Sequence, residues 1–229
     1  MPTPPITLFR SFLRTAFLFL LALLVGLPAS AQVANGGFES PYAAPTITGW
    51  TKSRWTNRLG LIIPPSGPFT GASVQKTGIG TSGTDLTSVV TAGTDSHTGF
   101  HLLSQVRFGN QAVVVNLDGD GYNGNSLTQS ITIDSSFPLE ADGKYHIRFA
   151  YAPVLESGGH APNEQPFFYV GVTDTTTNGI LYDSVNYSDQ AGITWYDDND
   201  FYWTDWQTVD VAMEPSSLGH TILLEFTAA

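Results

Sequence analysis

The chain has 229 residues, with 23 Gly, 14 Pro, no Cys and 13% charged residues. Twenty Asp and Glu outweigh nine Lys and Arg, so the surface repels phosphate backbones and nucleic acid is excluded as a partner class. No disulfide can form, and a chain 41% hydrophobic and 12% aromatic is not a disordered one.

Residues 1–31 read as a processing segment. Arg10 and Arg14 supply the positive start, and residues 16–25 form an apolar run. That run is shorter than the ~20 residues a bilayer span requires. Ala29-Ser30-Ala31 is an A-x-A cleavage signal, placing the mature start at Gln32. The alternative, an uncleaved N-terminal anchor, is disfavoured by the short run and the good cleavage site. The expected location is secreted, at or beyond the cell surface, with no membrane span in the mature chain. Residues 32–229 keep seven basic residues against twenty acidic ones, a net charge of −13. An acidic surface without nucleic-acid partners suits Ca²⁺, which takes carboxylate and carbonyl oxygens.

The mature region opens on Asn35-Gly36-Gly37-Phe38-Glu39, followed by Gly49-Trp50. In a strand, Phe38 points to the core and Glu39 away from it. Glu39, with Asn35 and the carbonyls of the Gly36-Gly37 turn, is a candidate site for a structural Ca²⁺. The other reading is a solvated glutamate at a strand end.

Residues 60–99 are rich in Gly, Pro, Ser and Thr and read as a long connection with one short strand near 88–91. Within it, Gly78-Ile79-Gly80-Thr81-Ser82-Gly83 matches G-x-G-x-x-G, but no strand precedes it and no helix follows. The phosphate-binding mechanism needs both. Beyond it no segment keeps a helical period. Short β-branched and aromatic runs separated by Gly, Asn, Asp and Pro predict strands over 111–117, 126–133, 144–152, 167–174, 180–185, 204–212 and 221–226. Asn178-Gly179 predicts a hairpin turn. Asp118-Gly119-Asp120-Gly121 fails as an EF-hand loop. Asn123 stands where Gly is needed, and Gln129 where a bidentate Glu is needed. It reads as a turn.

Residues 195–206 are the densest aromatic-acidic segment. Sugar recognition pairs flat aromatic faces with carboxylate and amide partners. Trp195, Tyr196, Tyr202 and Trp203 are candidate faces, and Asp197, Asp198 and Asn199 candidate polar edges. The competing reading places these aromatics in the core, and Trp206 is read as buried. His160 and Glu164 share a loop, but no His spacing suits zinc. There is no G-x-S-x-G and no Cys nucleophile, so no catalytic residue is assigned. The final run, 221–226, is core-like and ends near the chain terminus. It predicts an open sheet edge and a domain lacking its last strand; a complete chain ending in an edge strand is the alternative.

The Asn35–Glu39 and Gly49-Trp50 opening resembles the first strand of extracellular jelly-roll domains, carbohydrate-binding modules among them. Phe149-Ala150-Tyr151-Ala152-Pro153-Val154-Leu155-Glu156, Glu164-Gln165-Pro166-Phe167-Phe168, Trp206-Gln207-Thr208-Val209 and Gly219-His220-Thr221-Ile222-Leu223-Leu224-Glu225-Phe226 resemble the N-terminal jelly-roll domain of large bacterial surface proteins. Those are adhesin-like and gliding-motility-associated proteins, often carrying PKD or other Ig-like repeats. The resemblance implies an all-β jelly-roll sandwich of the galactose-binding type, one domain over 32–229. It implies a non-catalytic binding or adhesion module for an extracellular or cell-surface glycan, joined to further domains of a longer chain. It also implies that a late acidic residue would close a Ca²⁺ site with Glu39, and none is found where the family pattern places it. The alternatives are a structural cap or stalk in a surface assembly, and an accessory domain of a secreted hydrolase.

Overall fold

The computed structural model describes residues 36, 38–39, 46–56, 84–116, 123–157, 165–188 and 190–229. The signal segment, Asn35, the Gly78–Gly83 match, the Asp118 turn and His160 lie outside them. In chain order the strands are β1 (Thr51–Thr56), β2 (Ser88–Thr91), β3 (Gln111–Val114), β4 (Asn123–Thr132), β5 (Tyr145–Tyr151) and β6 (Val154–Glu156). They continue with β7 (Phe167–Asp174), β8 (Gly179–Tyr187), β9 (Tyr196–Asp197), β10 (Phe201–Trp203), β11 (Gln207–Met213) and β12 (Thr221–Ala228). One short 3-10 turn, Pro215–Ser217, is the only helical element among the described residues. The protein is all-β.

The main sheet runs β1-β4-β12-β7-β8, antiparallel throughout. Its order corrects the expectation of an open edge at 221–226. β12 is the central strand, with Leu224 opposite Gln129 of β4 on one side and Val172 of β7 on the other. Ala229 and Phe167 then exchange both backbone hydrogen bonds, at 2.8 and 3.2 Å. Period-2 alternation explains the placement. Ile222, Leu224 and Phe226 face inward with Leu127, Ile131, Val170 and Val172.

Against this inner face lies the β5–β11 ribbon, with Val209 opposite Phe149 and Val211 opposite Ile147. Phe149 meets Phe226 edge to face at 5.4 Å and 89°, the arrangement the ring quadrupoles favour. β2–β3 forms a second ribbon of this layer, and β6-β10-β9 a small three-stranded sheet. The β7–β8 hairpin turns where expected, with Asn178 at φ 58° and Asp174 accepting the Thr176 and Thr177 amides.

Some boundaries differ from expectation for local reasons. β3 stops at Val114, and Asn116 is left-handed at φ 64°, which ends the extended run. Residues 204–206 leave the expected strand because Thr204 N–H bonds Pro153 O and the Trp206 indole bonds Ser104 O. On β7, the Tyr169 ring lies over Gly171. A Cβ there would collide with the Tyr169 hydroxyl, so glycine lets the ring keep this place.

The solvent face of the β5–β11 ribbon carries a charge network. His146 bonds Asp210 at 2.6 Å and Asp142 at 3.0 Å. Arg148 binds both oxygens of Glu140 and also Asp210. The Asp210 and Asp142 hydrogen bonds raise the His146 pKa above its usual 6.5. The His146 hydrogen bond lowers that of Asp142. A raised histidine contributes stability that is fully present below its unfolded pKa and fades as pH rises through the folded value. The lowered acid contributes above its own unfolded value and fades in acid. Denaturant midpoints measured against pH therefore show a mildly acidic maximum, and His146→Gln flattens its alkaline side. An unchanged alkaline limb in His146→Gln would contradict this.

Candidate functional site

The 195–206 segment folds as a tight hairpin, β9 to β10, and its acids make the turn. Asp197 accepts the Asn199 amide at 2.7 Å, and Asp198 accepts the Phe201 and Asp200 amides at 2.9 and 3.3 Å. Asn199 takes the positive φ of 76° that the reversal needs. The Phe201 amide, foremost, lowers the Asp198 pKa, with help from Asp200 and Gly99. Gly99 comes so near that a Cβ would lie 2.9 Å from an Asp198 carboxylate oxygen.

The hairpin is clamped to residues 93–105, which close on themselves through a Thr94–Ser104 bridge. The Trp203 indole N–H donates to His101 O at 2.9 Å, and Trp206 donates to Ser104 O at 2.8 Å. The Tyr196 ring lies between His101, stacked at 3.6 Å and 11°, and Trp203 at 5.9 Å. Asp205 ties the layer together. It bonds His101 Nε2 at 2.9 Å and accepts the Tyr196 hydroxyl at 3.1 Å. The His101 and Tyr196 hydrogen bonds hold the Asp205 pKa below the usual carboxylate value.

The six expected ligand-binding residues thus part into two groups. Tyr196, Trp203 and Asp198 hold the fold together. Trp203 is 0% exposed and cannot offer a ring face, which corrects its reading as a platform. Trp206 is half-buried rather than enclosed. Strand pairing places Asp197 opposite Tyr202 on the other face of the hairpin. There Trp195 and Tyr202 stand with centroids 6.1 Å apart and planes 51° from parallel, an open V. Trp195 is pinned by its indole N–H to Gln190 O at 3.3 Å, both aromatics are half-buried and Asp197 is exposed. The sequence alone does not single out His101, Phe100 and Asp205. They lie far from Trp203 along the chain, or outside any periodic pattern, and only the folded loop brings them together.

Glu39 is placed differently from a strand-end residue. Phe38 has φ 56°, so this is a turn, though its ring does pack on the core against Trp50 at 5.4 Å. The Glu39 carboxylate accepts the Asn110 amide at 2.6 Å, the Gln111 amide at 3.0 Å and the Asn110 side chain at 3.2 Å. The Asn110 amide chiefly lowers its pKa. An acceptor filled by N–H donors does not fit a calcium ligand set, which is built of oxygens. Among the described residues no group of three or more His, Asp or Glu is arranged to hold a metal.

Comparison with protein-family models, curated proteins and solved structures finds no match. Among the described residues, no helix is long and apolar enough to cross a membrane.

Two expectations follow. Trp203→Ala, which empties a fully buried indole site, costs about 3–5 kcal/mol of stability, read as a large fall in denaturant midpoint. The Tm is the same in Ca²⁺ and in chelator; a rise with Ca²⁺ would mean that the cation displaces the N–H donors from Glu39.

Proposed function

We propose that this chain is a non-catalytic binding module of a secreted or cell-surface protein, a jelly-roll whose ligand is an extracellular glycan. The observation that carries the reading is the Trp195–Tyr202 pair with Asp197 beside it. Two half-buried rings at an open angle accept the C–H face of a sugar by stacking, and an exposed carboxylate accepts its hydroxyls. Both rings are positioned before binding, so little side-chain entropy is lost. Two scaffold acids of the hairpin fit the non-catalytic reading. A general acid in glycoside hydrolysis needs a raised pKa. Backbone amides lower Asp198, and His101 and Tyr196 lower Asp205. Both stay ionised acceptors.

The test is calorimetric titration of the full chain against a panel of bacterial and plant polysaccharides. Trp195→Ala and Tyr202→Ala are each expected to weaken binding about tenfold or more, ~1.4 kcal/mol, with Tm little changed. No binding across the panel, or alanine variants that bind like the parent, would contradict the proposal.

A further inference from the structure

All nine Lys and Arg of the chain lie at or before Arg148, whereas residues 149–229 hold twelve of the twenty Asp and Glu. The Trp195–Tyr202 pair sits inside this stretch of one sign. The cations of the described residues are engaged elsewhere. Lys52 pairs with Asp85, Lys144 with Glu214, and Arg148 with Glu140 and Asp210. Arg54 lies on β1, opposite Asn125 of β4. Arg107 reaches the hairpin from its scaffold side, where it acts on Asp205 after His101 and Tyr196 do. Beside the two rings the charge is negative. Asp197 stands two residues after Trp195 and opposite Tyr202. Its Oδ1 accepts the Asn199 amide, and its Oδ2 has no partner among the described residues. Asp200, at the turn of the same hairpin, is exposed as well.

We infer that this face takes a sugar carrying a protonated amine, an amino sugar whose nitrogen is free rather than acetylated; the inference rests on the glycan reading above and narrows it. An ammonium meets both halves of the site. Ring faces carry the negative end of the aromatic quadrupole and attract a cation within about 6 Å of the centroid. The open Asp197 oxygen accepts the ammonium N–H, a charge-assisted bond roughly twice as strong as a neutral one. A plain hydroxyl gains less at the same oxygen, and an N-acetyl group has lost the charge. A uronate or a sulfate meets a carboxylate with no cation beside it, and the like charges repel. The acidic stretch around the hairpin adds to the same choice, drawing cations in and holding anions off.

The test is calorimetric titration of the full chain with oligosaccharides of one length: β-1,4-linked glucosamine, its N-acetylated form, β-1,4-linked glucose and a uronate oligomer. Pentalysine is the control for charge without sugar. A pH of about 5.5 keeps the amine protonated and the carboxylates ionised. The glucosamine oligomer is expected to bind at least tenfold tighter than the acetylated, glucose and pentalysine probes, and the uronate most weakly. Salt at about 1 M, where the Debye length is ~3 Å, narrows that preference. So does Asp197→Asn, which keeps an oxygen for the Asn199 amide. Equal binding of the acetylated oligomer, or a preference that Asp197→Asn leaves intact, would overturn the amine and leave the glycan reading standing. Pentalysine bound as tightly as the glucosamine oligomer would overturn the amino sugar in favour of charge alone. Binding of no oligosaccharide would remove the glycan reading, and this inference with it.

Discussion

The structure depends on β12 being paired on both sides. This one strand holds β4 and β7 in register, and its inward residues, Ile222, Leu224 and Phe226, form the middle of the core. Its partners come from residues 125–132 and 168–174, so the contacts are long-range and each must repay a sizeable loop-closure entropy. With no cysteine in the chain, this burial stabilises the fold without help from disulfides. The T-shaped Phe149–Phe226 contact then transfers the order of the main sheet to the layer above it.

Among the described residues the two ribbons of that second layer each pair along one edge, β3 with β2 and β5 with β11. The aromatic hairpin is tied down by its side chains. Two indole N–H groups, from Trp203 and Trp206, bond carbonyls of the 93–105 loop, and Asp205 locks His101 to Tyr196. A rigid hairpin whose one face is spent on the fold can hold the rings of its other face at a fixed angle. The scaffold and the proposed binding surface are thus the two faces of the same short strands.

Much of this was legible in the sequence and some was not, for physical reasons. The strand over 167–174 is read correctly because both faces of β7 are buried and the apolar run is dense. β12 is read as a strand for its alternation, but its central position is not, because strand order is a long-range property that a local pattern does not contain. β1, Thr51–Thr56, escapes because it is polar and lies at the sheet edge. The aromatic-acidic segment announces itself by composition. Which rings are spent internally depends on the partner loop: Trp203 meets His101 O across 102 residues of chain, a contact no periodicity reports. The acids of that segment looked like ligand groups and proved largely to be turn makers, the commoner use of Asp and Asn beside a reversal.

The most direct test of this account is residue-resolved amide hydrogen exchange on the full chain, free of ligand. With β12 as the doubly paired central strand, the amides of Leu223, Leu224, Glu225 and Phe226 are expected to be among the slowest to exchange, opening only with global unfolding. If residues 222–226 exchanged at edge-strand rates, β12 would not be the centre of the sheet, and the order β1-β4-β12-β7-β8 would be wrong.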